Sequence, residues 1–137
     1  MSNDKTGFRY LHTMLRVMDL EKSVDFYTRH LGMRELRRRE FPDGRFTLCF
    51  LGYGEETDTT VLELTHNWDQ ETPYEQGGAF GHLAVAVPDV YSVCGALESE
   101  GVSVPRKPGP MKFGGGQTHM AFIEDPDGYK IELIQRA

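Results

Sequence analysis

The chain is written nearly twice over, and a tandem repeat restricts its fold to two copies of one unit. Leu11-His12-Thr13-Met14-Leu15-Arg16-Val17-Met18-Asp19 aligns with Gly81-His82-Leu83-Ala84-Val85-Ala86-Val87-Pro88-Asp89, a histidine opening each strand-like run and an aspartate closing it. Further on, Val61-Leu62-Glu63-Leu64 aligns with Lys130-Ile131-Glu132-Leu133. The two histidines stand 70 residues apart and the two glutamates 69. A duplicated module sets equivalent side chains in equivalent places. Two imidazoles and two carboxylates therefore arrive as matched pairs, which is a ligand set for a divalent metal.

The 137 residues make one domain built of two modules, residues 10–67 and 81–135, joined by a polar linker at 68–80. A net charge of −6 excludes a general nucleic-acid surface, which needs basic patches. Arg37-Arg38-Arg39 is the one local basic run and reads as a solvated strand or loop face. No segment approaches the ~18 apolar residues of a membrane helix, and the first residues lack a signal-peptide core. Cys49 and Cys94 have no CxxC spacing and read as reduced core thiols of a cytoplasmic protein.

In the first module Tyr10–Met18 is strand-like, and Asp19 is placed to cap a helix reaching His30, with Gly32 as terminator. Strands follow at 33–41, 45–52 and 60–67, with Pro42-Asp43-Gly44 as a turn. The second module repeats the order. It has a strand at 82–87, a helix from Asp89 to Gly101, a short strand at 102–106, and strands at 118–124 and 129–135 around Asp125-Pro126-Asp127-Gly128. The glycine-rich stretch 108–117 reads as a mobile loop. The expected fold is α+β, two tandem βαβββ modules.

Residues two apart in a strand share a face. His12, Met14 and Arg16 therefore point one way, as do Glu63, Thr65 and Asn67, while His82 is followed on its face by the small Ala84 and Ala86. If the first and fourth strands of a module are neighbours, each histidine meets its glutamate, and two facing pairs give an N2O2 site. Such donors suit Ni, Zn, Fe or Co, and the lack of thiolates argues against a structural zinc site. His30, His66 and His119 have no repeat partner and read as ordinary structural histidines. Tyr27 and Tyr129 read as packing residues, and Trp68 and Phe80 as core or interface aromatics.

With these residues in view, the chain resembles the vicinal oxygen chelate superfamily. Within it, LHTMLRV, FYTRHLGM, VLELTHNW, FGHLAVAVPDVY and EDPDGYKIELI are similar to the glyoxalase I family of lactoylglutathione lyases, in its compact bacterial form. The resemblance spans residues 10–135. It implies a homodimer whose active sites lie at the subunit interface, each taking His12 and Glu63 from one chain and His82 and Glu132 from the other. It implies Ni(II) as the metal, with Co(II) or Zn(II) as alternatives, and glutathione as co-substrate. Arg16, Asn67 and Lys112 match the family's glutathione contacts, with His82 beside the substrate as well as the metal. Two departures stand out. Longer members carry an arginine where this chain has Gly78-Ala79-Phe80, and the loop 112–120 is slightly longer and richer in glycine.

The reaction implied is isomerisation of the methylglyoxal–glutathione hemithioacetal to S-lactoylglutathione through an enediolate, a methylglyoxal detoxification step. Glu132 is implied as the base and Glu63 as its opposite-face partner. Three rivals share the fold. A metal-dependent acyl-CoA epimerase is disfavoured by Arg16 and Asn67. A ring-cleaving dioxygenase uses a 2-His-1-carboxylate triad, and here a fourth ligand is present. An antibiotic-sequestering protein predicts a missing ligand, and none is missing. Neither nucleic acid nor membrane is expected as a partner.

Overall fold

The computed structural model describes residues 3–136. It resolves into two compact units, one ending at Tyr74 and the other beginning at Glu75. The first unit contains β1 (His12–Arg16), α1 (Leu20–Asp25), β2 (Arg34–Phe41), β3 (Phe46–Gly52) and β4 (Val61–Asn67). The second contains β5 (Leu83–Val87), α2 (Val90–Ser99), β6 (Arg106–Pro110), β7 (His119–Glu124) and β8 (Lys130–Gln135).

Each unit forms one four-stranded mixed sheet, ordered β1-β4-β3-β2 and β5-β8-β7-β6. The first and fourth strands of each unit run parallel and the other pairs antiparallel. The architecture is therefore α+β with a duplicated βαβββ unit, as the repeat requires. Strand alternation divides the two faces. Leu15, Cys49, Leu51, Leu62 and Leu64 are buried on the helix side of the first sheet, and Ala121, Ile123, Ile131 and Leu133 are their counterparts in the second. The opposite face carries the histidines and glutamates.

The caps fall where the sequence puts them. The Asp19 carboxylate accepts from the Lys22 N–H at 3.1 Å, and Asp89 accepts from the Tyr91 and Ser92 N–H groups at 3.0 and 3.3 Å. Such caps satisfy N–H groups that the helix itself leaves unpaired. The first helix departs from expectation at its end: α1 stops at Asp25, and Phe26–His30 is a π-helical turn. The wider turn accompanies burial of two adjacent aromatics, Phe26 and Tyr27, and Thr28 Oγ1 donates back to the Val24 carbonyl at 2.7 Å. Gly32, at φ 74°, then reverses the chain.

The other corrections concern the second unit. Its edge strand is not at 102–106 but at Arg106–Pro110, so the stretch expected to be a loop from residue 108 begins as strand. Pro105, Pro108 and Pro110 lack the N–H needed for an interior ladder, and the pairing with β7 is irregular between Arg106 and Gly109. An edge position tolerates this. The loop proper is pinned by a 2.7 Å bond from the Met111 N–H to the Thr118 carbonyl, and its Gly114, Gly115 and Gly116 all have positive φ. Cys49 and Cys94 are free and buried. Among the described residues no helix is long and apolar enough to cross a membrane.

Candidate active site

In the first unit His12 Nε2 lies 2.8 Å from Glu63 Oε1, and in the second His82 Nε2 lies 3.2 Å from Glu132 Oε1. The same register produces both contacts. Glu63 sits opposite Met14 in the parallel ladder and Glu132 opposite Ala84, so each carboxylate reaches back along the strand to the histidine two residues earlier. Each imidazole is also set edge-on to a phenylalanine from the neighbouring antiparallel strand. His12 meets Phe50 at 5.4 Å and 79°, and His82 meets Phe122 at 5.1 Å and 75°. Phe50 and Phe122 in turn stand opposite Glu63 and Glu132. One aromatic buttress per pair thus fixes the ring orientation.

The donor set fits a divalent ion. Two ligands bonded at ~2.0–2.2 Å and at right angles lie about 3 Å apart, and both observed spacings fall close to that. The histidines keep 34% and 41% of their side-chain surface exposed, while the glutamates keep 11% and 13%. Each pair is therefore anchored from below and open above. Among the described residues, neither unit by itself gathers three or more His, Cys, Asp or Glu side chains able to hold one ion. Each unit holds one His–Glu pair.

The pairs are not chemically identical. Thr65 Oγ1 donates to Glu63 Oε2 at 3.2 Å, tying down its second oxygen. The repeat places Ile134 where Thr65 stands, so among the described residues Glu132 has no such donor. A carboxylate with a free oxygen is the better placed of the two to accept a proton.

The remaining residues expected at the site divide by unit. Arg16 is exposed and shares the His12 face, and Thr65 is its ladder partner. Asn67 closes β4 on the same face, its Nδ2 donating to the Tyr74 hydroxyl at 2.8 Å and leaving its Oδ1 for another donor. Lys112 lies exposed in the loop between β6 and β7, with Nζ 5.5 Å from the Phe113 ring centre. The histidines without repeat partners take structural contacts. His66 Nδ1 lies 3.4 Å from the Val17 carbonyl, His119 Nδ1 lies 2.7 Å from the Tyr91 hydroxyl, and His30 packs on Phe26.

The sequence alone did not point to Arg37, Phe50 or Tyr74. The basic run is exposed, but strand parity splits it. Arg38 pairs with Glu21 of α1 and with Glu35, on the helix side. Arg37 lies over the Phe50 ring, 3.8 Å from its centre, on the His12 face. Its hydrogen bond to Glu56 is the main influence holding it protonated, with the nearby Glu63 charge adding to it. Alternation along 37–41 was the signal, and a β-bulge between Glu35 and Arg37 sets its phase.

Comparison with known proteins gives the family. Residues 9–133 match the profile of the Glyoxalase/Bleomycin resistance protein/Dioxygenase superfamily. Over 128 residues the chain is 61% identical to a lactoylglutathione lyase of Neisseria meningitidis serogroup A, covering 93% of this chain and 91% of the relative. It is 52% identical over 127 residues to a lactoylglutathione lyase of Escherichia coli O157:H7, covering 93% and 92%. Glyoxalase I from Zea mays aligns with a TM-score of 0.88 at 46% identity, covering 94% of this chain and 45% of the longer maize chain. The chain belongs to the Glyoxalase/Bleomycin resistance protein/Dioxygenase superfamily, and within it is an enzyme of the glyoxalase I group, a lyase.

Proposed function

We propose that this chain is a metal-dependent lactoylglutathione lyase, isomerising the methylglyoxal–glutathione hemithioacetal to S-lactoylglutathione as a cytoplasmic homodimer. The observation that carries the reading is the His–Glu pair built twice, in one register, on the open face of each sheet. Two pairs complete one site. His12 and Glu63 of one chain join His82 and Glu132 of the other, holding Ni(II), with Co(II) or Zn(II) as alternatives. A divalent cation held there would supply Lewis acidity to adjacent substrate oxygens and offset negative charge developing on them.

The chain's own groups do the rest. Glu132 takes the proton from the carbon bearing sulfur and returns it to the neighbouring carbon, so the reaction is a balanced isomerisation with no redox partner. Its second oxygen, lacking the donor that Thr65 gives Glu63, suits it to that task. Glu63 stands as the opposite-face partner. Arg16 and Lys112 hold glutathione carboxylates. Asn67 Oδ1 accepts from glutathione, and His82 flanks the bound substrate.

The test is a chelator-treated protein reloaded with nickel, cobalt or zinc, then given methylglyoxal and glutathione while thioester absorbance is followed. Activity is expected to vanish on chelation and to return best with nickel or cobalt. Full activity without metal, or with zinc alone, overturns the metal assignment. Absence of thioester with every metal overturns the function.

A further inference from the structure

Arg39 differs from the arginines around it. Arg34 pairs with Glu55, Arg37 with Glu56, Arg38 with Glu21 and Glu35, and Arg45 with Asp69. Among the described residues Arg39 has no carboxylate partner. Its guanidinium carbon instead lies 4.6 Å from the centre of the Phe41 ring, and Phe41 stacks on Phe46 at 4.7 Å and 17°. A ring face attracts and orients a cation without cancelling its charge. Arg39 is therefore an exposed, oriented, uncompensated cation.

Its place in the sheet gives that charge a use. Arg39, Leu48, Thr65 and Arg16 follow one another across β2, β3, β4 and β1. The row before it reads Arg37, Phe50, Glu63, Met14, and the row after it reads Phe41, Phe46, Asn67. All share the His12 face, because His12 and Arg37 both meet the Phe50 ring. Arg16 and Arg39 thus face the same row from opposite edges of the sheet, three strand spacings or about 14 Å apart. Glutathione carries a carboxylate at each end of an extended span of roughly 10–13 Å. Arginine side chains are long enough to close the small difference between that separation and such a ligand. The repeat does not require Arg39, since Pro108 and Ala86 stand where a second copy of Arg39 and Arg16 would be. Both cations belong to the first unit alone.

We propose that Arg39 binds the glycyl carboxylate of the glutathione-derived substrate, opposite the γ-glutamyl end held by Arg16 and Asn67. The inference rests on the reading of the site given above and names a residue that sets its substrate preference. A carboxylate offers about four lone-pair positions, so Arg39 need not be its sole donor. Arg39 acts on binding rather than proton transfer, because it lies on the far edge strand from His12.

The test compares the parent protein with Arg39→Ala and Arg39→Lys. Turnover is measured on hemithioacetals of glutathione and of its glycyl monoethyl ester, and calorimetry follows binding of S-methylglutathione and its glycyl ester. Arg39→Ala should raise KM for the glutathione hemithioacetal about tenfold, leave kcat within about twofold, and cause no further loss with the ester. Arg39→Lys should recover part of the affinity, because charge is kept and the planar fork is lost. An unchanged KM, or equal losses with acid and ester, overturns the proposal. A shift in sedimentation with unchanged KM also overturns it, placing the cation against a second chain. A parent protein that binds S-methylglutathione through Arg39 yet makes no thioester would overturn the reaction and leave this contact standing.

Discussion

At the scale of single residues, the two glutamates are the informative pair, because the repeat makes them alike and their surroundings do not. Thr65 holds Glu63 by its second oxygen, and among the described residues no equivalent donor restrains Glu132. Glu132→Gln keeps an oxygen that coordinates weakly but cannot accept a proton at neutral pH. With metal saturating, turnover should fall on the order of 10²–10⁴-fold, and Glu63→Gln should cost less. Steady-state rates measured beside metal content decide this. Near-normal turnover in metal-loaded Glu132→Gln would move the base to another group. The two His–Glu pairs were legible in the sequence because each is written twice. Arg39 was not: at the repeat offset Arg37 meets Arg106 but Arg39 meets Pro108, and which arginines of the run share the His12 face depends on a bulge that no spacing rule reveals.

At the scale of elements, the repeat and the caps carried most of the information. Asp19 and Asp89 mark both helix starts, and Gly32 and Gly101 lie in the positive-φ region just beyond the helical segments. Legibility failed where tertiary packing or proline chemistry intervened. Burial of adjacent Phe26 and Tyr27 goes with the π turn, and the edge strand of the second unit runs through Pro108 and Pro110, residues that read as loop. Strand β3 also contributes a titration. Burial above all raises the Cys49 thiol from 9.0 to about 11, with the Glu35 charge adding to it and Arg38 opposing. The unfolded thiol therefore loses its proton first as pH rises. The stabilising contribution is complete below pH 9 and is lost between 9 and about 11. Urea unfolding at stepped alkaline pH should show that decline, and Cys49→Ala should flatten it. A decline equally steep in Cys49→Ala would assign it to other groups.

At the scale of the whole molecule, each unit holds half of the proposed ligand set, so assembly and catalysis become one question. A site completed across a twofold interface makes each chain contribute to both sites of the dimer. Two inactive proteins can then repair one another. His12→Ala/Glu63→Ala empties one half-site in every chain, and His82→Ala/Glu132→Ala empties the other. When their subunits are unfolded together and reassembled with metal, a mixed dimer carries one doubly damaged site and one intact site. Random pairing makes half the dimers mixed, so the mixture should regain about a quarter of the parent activity, while each variant refolded alone stays inactive. Thioester formation by the reassembled mixture tests the account directly. Recovery near that level is the predicted result, and a mixture as inactive as its components would contradict it.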